Sequence, residues 1–368
     1  MSADTRARRV VVAGGGTGGH LYPGIAVARE LQAQRPGTTV TFAGTARGIE
    51  SRVVPREGFE LDVIRSAGIK GKSLGTRLRG AALLPLSALD AWRLVSHRKP
   101  DLVIGVGGYS SGPVVATAAL RGIPTLLLEQ NAVPGLTNRL LAPLVRAAAV
   151  TYETTLPFFR GKGFLAGNPV RAEFLRQPVD HRLDTAPGAA LRVLIFGGSQ
   201  GARAINVACV EAAPKLAASA TPLAVTHQTG ERDLEMVREG YRRAGLDARV
   251  EPFLYEMDRE MNDADLVVCR AGATTLAEIT ASGKPSILIP LPTATDDHQR
   301  KNAEVLARVG AAEVIDQREL SGDRLAVRVM AMAANPAGRQ AMSQAARTLA
   351  RPDAARTIVA RAVALMGA

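Results

Sequence analysis

The stretch VVVAGGGTGGH, Val10–His20, decides how the chain is read. Its first four residues form an apolar run of strand length with no polar alternation, as in strands buried on both faces of a parallel sheet. Gly14–Gly16 break the run, and Leu21, Ile25 and Ala28 then recur at helical spacing, so the unit is a strand, a glycine-rich turn and a helix. The same pattern returns as VLIFGGSQGAR at Val193–Arg203. A second echo pairs Asp101-Leu-Val-Ile, Gly108, Ser110, Ser111 and Gly122-Ile-Pro with Asp265-Leu-Val-Val, Gly272, Thr274, Thr275 and Gly283-Lys-Pro. Further strands are expected at Arg9–Ala13, Thr38–Ala43, Asp101–Val106, Ile123–Leu128, Leu191–Phe196, Leu223–Thr226, Leu266–Cys269, Ser286–Ile289 and Glu313–Ile315. The fold class is α/β, with two doubly wound Rossmann-like domains facing across a cleft. Their expected extents are 1–171, completed by a C-terminal helix within 350–368, and 172–349.

Composition agrees with two globular domains. The chain has 368 residues, 46% of them hydrophobic, and 46 basic side chains against 34 acidic ones give a net charge of +12. Such a charge attracts anionic partners. With 1 Trp, 5 Tyr and 8 Phe the chain is poor in stacking groups, and no nucleic-acid partner is expected. Cys209 and Cys269 sit in apolar runs and read as small core residues. The apolar start at Val10–Ala13 is too short for a signal peptide, and the uncharged stretch Leu102–Leu120 carries four glycines and Pro113, so it is not expected to span a membrane.

Gly14-x-Gly16-x-x-Gly19 satisfies the dinucleotide fingerprint, yet the next strand ends Thr41-Phe-Ala-Gly44 without the acid that would hold a ribose. The loop instead offers backbone N–H groups at a helix N-terminus to an anion, with His20 beside it as a general base or an acceptor-positioning group. Gly197–Gly201 forms a second such turn, with Ser199 as a hydroxyl donor. Arg270–Glu278 runs from a strand end into a helix, placing Thr274 and Thr275 in its first turn and Glu278 where a carboxylate can accept from a ribose diol. Glu129-Gln-Asn131 ends a strand, and Asp296–Asn302 follows another. Asp263-Ala-Asp265 mimics a metal-binding DxD but precedes its strand, at the wrong end of the sheet. Asp296-Asp-His298 lacks further ligands at metal spacing, so no metal site is expected. The stretch Ile69–Arg98 combines Lys70, Lys72, Arg77, Arg79, Arg93 and Arg98 with leucines and Trp92, either a core-packed helix or a face that meets anionic headgroups.

GGGTGGHLYPG, GGYSSGP, EQN, GNPVR, GGSQGA and CRAGATTLAE occur in order between Gly14 and Glu278. In these motifs the chain resembles the MurG family of N-acetylglucosaminyltransferases over essentially its whole length. The resemblance implies a GT-B fold and transfer of N-acetylglucosamine from UDP-N-acetylglucosamine to lipid I, undecaprenyl-pyrophosphoryl-MurNAc-pentapeptide, giving lipid II of peptidoglycan. It implies donor contacts from Thr17, Gly18, Gly19, Asn131, Arg171 and Ser199, from the Leu254 backbone, from Ala273, Thr274, Thr275, Leu276, Ala277 and Glu278, and from Gln299. His20, Glu129 and Tyr109 become the catalytic candidates, with Asn138 and Asn206 as further substrate-binding residues. No cofactor is implied. The lipid-linked acceptor implies a peripheral place on the anionic cytoplasmic leaflet of the cell membrane, with Ile69–Arg98 as the docking patch. Another sugar-nucleotide transferase, a non-catalytic nucleotide-sugar binder and a nucleic-acid binder are the competing readings.

Overall fold

The computed structural model describes residues 7–66, 83–175, 189–198 and 200–367. The chain divides into two compact units, Met1–Arg171 with Arg351–Ala368, and Ala172–Ala350.

The first unit holds seven parallel strands: β1 (Arg9–Gly14), β2 (Thr39–Gly44), β3 (Glu60–Val63), β4 (Leu102–Gly107), β5 (Thr125–Glu129), β6 (Ala147–Val150) and β7 (Gly163–Leu165), in the order β3-β2-β1-β4-β5-β6-β7. Along β1, Val10 and Val12 enter one core while Val11 and Ala13 enter the other. That alternation explains the unbroken apolar run, since each pleat face has its own helical cover. Helices Gly18–Gln34 and Ala354–Leu365 cover one face, the second through Ile358, Val359 and Ala362, all inaccessible. Helices Leu84–Arg98 and Ser111–Leu120 cover the other. Each fully buried Val, Leu or Ile contributes roughly 1.5–3 kcal/mol of transfer free energy.

The second unit repeats the plan with β8 (Leu191–Phe196), β9 (Leu223–Gln228), β10 (Ala248–Glu251), β11 (Leu266–Cys269), β12 (Ser286–Leu288) and β13 (Glu313–Val314), ordered β10-β9-β8-β11-β12-β13 and parallel throughout. Val193 and Ile195 face one core, Leu194 and Phe196 the other. The internal echo extends to hydrogen bonds. Asp101 Oδ2 accepts from Arg9 N at 2.8 Å, and Asp265 Oδ2 accepts from Arg192 N at 2.9 Å, so each aspartate pins the start of the first strand of its unit. Asp265 also takes the Arg192 guanidinium through Oδ1 at 2.9 Å, which identifies the DxD aspartate as a strand anchor at the amino edge of the sheet.

The strands read from sequence are present with ends shifted by up to two residues, while β3, β6, β7 and β10 had no clear sequence signal. Glu60–Val63 and Ala248–Glu251 are short edges that carry charge, and Ala147–Val150 is mostly alanine. Both cysteines are buried and free, and burial pushes the Cys209 thiol up to about 12. Among the described residues no helix is long and apolar enough to cross a membrane.

Candidate active site

In both sheets the order of strands reverses beside the first strand of the unit, between β1 and β4 and between β8 and β11. Ligands of such sheets bind outside the carboxyl ends at this point, and the glycine-rich turns fall there.

In the first unit the turn Gly14–Gly16 leads to Thr17, which is extended and caps the helix Gly18–Gln34 without using its own side chain as the cap acceptor. Thr17 is exposed and Gly18, Gly19 and His20 are half-buried. Gly14 has φ +143°, and a Cβ there would run into the Gly107 carbonyl oxygen, so only glycine lets β1 and β4 end this close together. The His20 imidazole lies over Gly107, and its Nδ1 is 3.2 Å from Gln130 Oε1. Gln130 Nε2 donates to the Val106 carbonyl at 3.1 Å, which turns Oε1 toward the ring. The network therefore places a proton on Nδ1, and in the neutral ring the lone pair is then on Nε2, the tautomer a base needs. Tyr109, after β4, is 48% exposed.

Glu129 lies at the carboxyl edge of the same sheet, with its carboxylate engaged by its own loop. It is buried at the end of β5, where Oε1 accepts from Asn131 N at 3.0 Å and Oε2 accepts from Gly135 N at 3.0 Å and Asn138 Nδ2 at 2.8 Å. Burial raises its pKa, opposed by these hydrogen bonds. Asn138 is buried with it and also donates to the Leu128 carbonyl at 3.0 Å. The pair folds the loop that presents half-buried Asn131. The Arg171 guanidinium sits 5.0 Å from the Tyr22 ring centroid, a cation–π contact.

In the second unit Gly201, at φ +73°, passes so close to the Thr229 carbonyl that any side chain would collide. Ser199 of this turn lies outside the described residues. Asn206 is buried behind the turn: Nδ2 donates to Thr229 O and Asp233 Oδ2, both at 2.9 Å, and Oδ1 accepts from His227 Nε2 at 3.1 Å. His227 Nδ1 in turn accepts from the Tyr241 hydroxyl at 2.7 Å. This buried relay, which holds His227 neutral with its pKa lowered to about 3 by desolvation, makes Asn206 a support of the turn, with all of its amide engaged.

Gly272 is extended and opens the helix Ala273–Ser282, in which Thr275 and Ala277 are half-buried and Ala273, Thr274, Leu276 and Glu278 are buried. Leu254 is buried between two exposed aromatics, Phe253 and Tyr255, whose ring centroids are 5.0 Å apart. Gln299 Oε1 accepts from Leu291 N at 3.0 Å, tying the helix His298–Arg308 to the segment after β12. Of the proposed docking patch, residues 69–82 lie outside the described ones. The helix Leu84–Arg98 exposes Leu84, Leu86, Leu89 and Trp92, with Arg121 4.8 Å from the Trp92 ring centroid.

Sequence reading singled out Gln130 within Glu129-Gln-Asn131 but gave it no partner, and it missed His227 and Glu50. Glu50 holds Gly16 N at 2.7 Å from 34 residues away, and nothing in its own neighbourhood in the sequence marks it.

Two parallel-sheet units with glycine-rich turns at both switch points make a pair of doubly wound nucleotide-binding folds, and the family models give their class as glycosyltransferase. Residues 10–150 match the glycosyltransferase family 28 N-terminal domain and residues 192–358 its C-terminal domain. The chain belongs to glycosyltransferase family 28 and, within it, to the MurG transferases. It is 46% identical over 370 residues to the UDP-N-acetylglucosamine--N-acetylmuramyl-(pentapeptide) pyrophosphoryl-undecaprenol N-acetylglucosamine transferase of Pelobacter propionicus, covering 95% of this chain and 98% of the relative. The enzyme of the same name from Anaeromyxobacter dehalogenans is 48% identical over 351 residues, covering 95% and 91%. Among solved structures, Acinetobacter baumannii MurG is 31% identical with a TM-score of 0.79, covering 97% of this chain and 99% of that one.

Proposed function

We propose that the protein transfers N-acetylglucosamine from UDP-N-acetylglucosamine to the 4-hydroxyl of MurNAc in undecaprenyl-pyrophosphoryl-MurNAc-pentapeptide, inverting the anomeric centre to form the β-1,4 linkage of lipid II. The observation that carries this reading is 46–48% identity, over 95% of the chain, to transferases named for that donor and acceptor. The paired glycine-rich turns at the sheet switch points support it.

His20 Nε2 takes the proton of the acceptor hydroxyl as its oxygen attacks the anomeric carbon. The bond from that carbon to the diphosphate oxygen breaks through an oxocarbenium-like state, and the electron pair leaves with UDP. The N–H groups opening the helix Ala273–Ser282, with Arg171, stabilise the departing charge. Thr17, Gly18, Gly19, Asn131, Ser199, the Leu254 backbone, Ala273–Glu278 and Gln299 hold the donor, with Glu278 on the ribose. Tyr109 lines the acceptor side. Glu129, Asn138 and Asn206 act through the loops they support.

The protein works as a peripheral enzyme on the anionic cytoplasmic leaflet. Leu84, Leu86, Leu89 and Trp92 form the apolar centre of the docking face, and Lys70, Lys72, Arg77, Arg79 and Arg93 meet the headgroups, whereas the Arg98 guanidinium is taken by Asp62 and Glu60.

Incubation with a lipid I analogue and a panel of UDP-sugars tests the reading. Glycosylated product with one UDP released per transfer, from UDP-N-acetylglucosamine in preference to the other sugars, is expected. UDP binding with no transfer to this acceptor contradicts it.

A further inference from the structure

Glu50 is a fully buried carboxylate that the transfer chemistry does not use. It opens the helix Glu50–Arg56 and reaches back to the end of β2, where Oε1 accepts from Thr45 N and Thr45 Oγ1, both at 2.8 Å. Its Oε2 accepts from Gly16 N at 2.7 Å. Gly15, Gly44 and Gly48 surround it so closely that a Cβ on any of them would collide with its side chain. Burial alone raises the pKa of such a group, but the Gly16 and Thr45 donors outweigh it and keep Glu50 below the ordinary glutamate value.

The far side of the same loop rests on β4. Gly15 N donates to the Gly107 carbonyl at 3.4 Å, and a Cβ on Gly108 would meet the Gly15 carbonyl oxygen at 2.5 Å. Gly107 in turn carries the His20 ring, its Cβ position lying 2.9 Å from Nδ1. Glu50, the Gly14–Gly16 turn, the Gly107–Gly108 turn and the His20 imidazole are thus successive contacts. In a dinucleotide-binding turn the backbone N–H groups await a ligand's phosphate. Here the chain supplies an anion of its own to Gly16.

We propose that Glu50 is a positioning residue for glycosyl transfer: its carboxylate is the built-in anion of the first glycine-rich turn and fixes that turn, and with it the seat of His20, before substrate arrives. The inference rests on the reading of His20 as the base. The first acid after β2 along the chain is thus turned inward onto the turn itself.

The test compares wild type with Glu50→Gln, which keeps the shape but presents only one oxygen, and Glu50→Ala. Steady-state transfer to a lipid I analogue, UDP affinity and amide hydrogen exchange over residues 13–21 are measured on the folded proteins. The expected result is a fall in kcat of about 100-fold for Glu50→Ala and about tenfold for Glu50→Gln, as for small displacements of a catalytic group. KM for acceptor and UDP affinity stay within about twofold, and the 13–21 amides exchange faster in both variants. A kcat within about twofold of wild type in either folded variant overturns the proposal, as does a loss in Glu50→Gln that merely tracks its unfolded fraction. Absence of transfer by the wild type overturns the activity reading alone, whereas unchanged exchange over residues 13–21 in both variants overturns the proposal.

Discussion

His20 Nδ1 and Gln130 Oε1 meet at 3.2 Å across 110 residues of sequence, with the amide of Gln130 oriented by its own bond to the Val106 carbonyl. An imidazole in contact with a group that accepts at one nitrogen presents its lone pair at the other. His20→Ala should therefore lower kcat about 10²- to 10⁴-fold, the range of general-base contributions, with a smaller change in acceptor KM. Gln130→Leu keeps the ring but removes the acceptor, and should cost about tenfold in kcat. Steady-state kinetics on both variants check this; wild-type kcat in Gln130→Leu contradicts the tautomer assignment.

The His227 relay gives the second unit a pH dependence of definite sign. Its pKa is lowered from 6.5 to about 3 by burial, so the folded form stays neutral where the unfolded chain takes up a proton. The contribution is complete above the unfolded value and is lost as pH falls from there toward 3. The slope in that window is about 1.4 kcal/mol per pH unit. Urea unfolding of the second unit from pH 7 to 4 should show it, and His227→Gln should flatten it.

Asn206 separates support from contact. With both ends of its amide engaged inside the unit, Asn206→Ala leaves Asp233 and the Thr229 carbonyl short of a donor, and should destabilise the second unit by about 1–3 kcal/mol. Thermal unfolding without ligand reads this directly. Unchanged stability with a large rise in donor KM would make Asn206 a direct ligand.

Trp92 and Leu89 lie on the exposed side of the helix Leu84–Arg98. Replacing both with Ser should lower binding to anionic vesicles by about 30- to 1,000-fold, since each apolar side chain inserted among the acyl chains contributes roughly 1–2 kcal/mol that serine does not supply. Transfer to a water-soluble acceptor analogue should persist. Vesicle co-sedimentation at equal protein concentration decides it, and unchanged binding moves the docking face elsewhere.

The fold was legible wherever the pleat buries both faces. Val10–Ala13 and Leu191–Phe196 are unbroken apolar runs, Arg192 aside, because alternate residues feed opposite cores. The edges β3 and β10 carry charge and lie at the margin of their sheets, so their pairing is decided by neighbours and not by their own composition. The glycine-rich turns were legible for a local reason, since only glycine fits where Gly14 meets Gly107 and Gly201 meets Thr229. Glu50 and His227 were not. Each derives its role from a partner brought close by the sheet order, and a solitary Glu at a helix start or a His in a strand reads alike whether solvated or engaged. Glu129 shows the converse: its place at a strand end was legible, while its partners in the loop that follows, Gly135 and Asn138, were not.

The central claim is transfer of N-acetylglucosamine with His20 as the base. The most direct measurement follows radiolabelled N-acetylglucosamine from its UDP donor to a lipid I analogue, comparing wild type with His20→Ala. The account predicts β-1,4-linked product from wild type, and a loss of at least about 100-fold in kcat for His20→Ala with UDP affinity retained. Product formed by His20→Ala at the wild-type rate, or no product from wild type while UDP still binds, would contradict it.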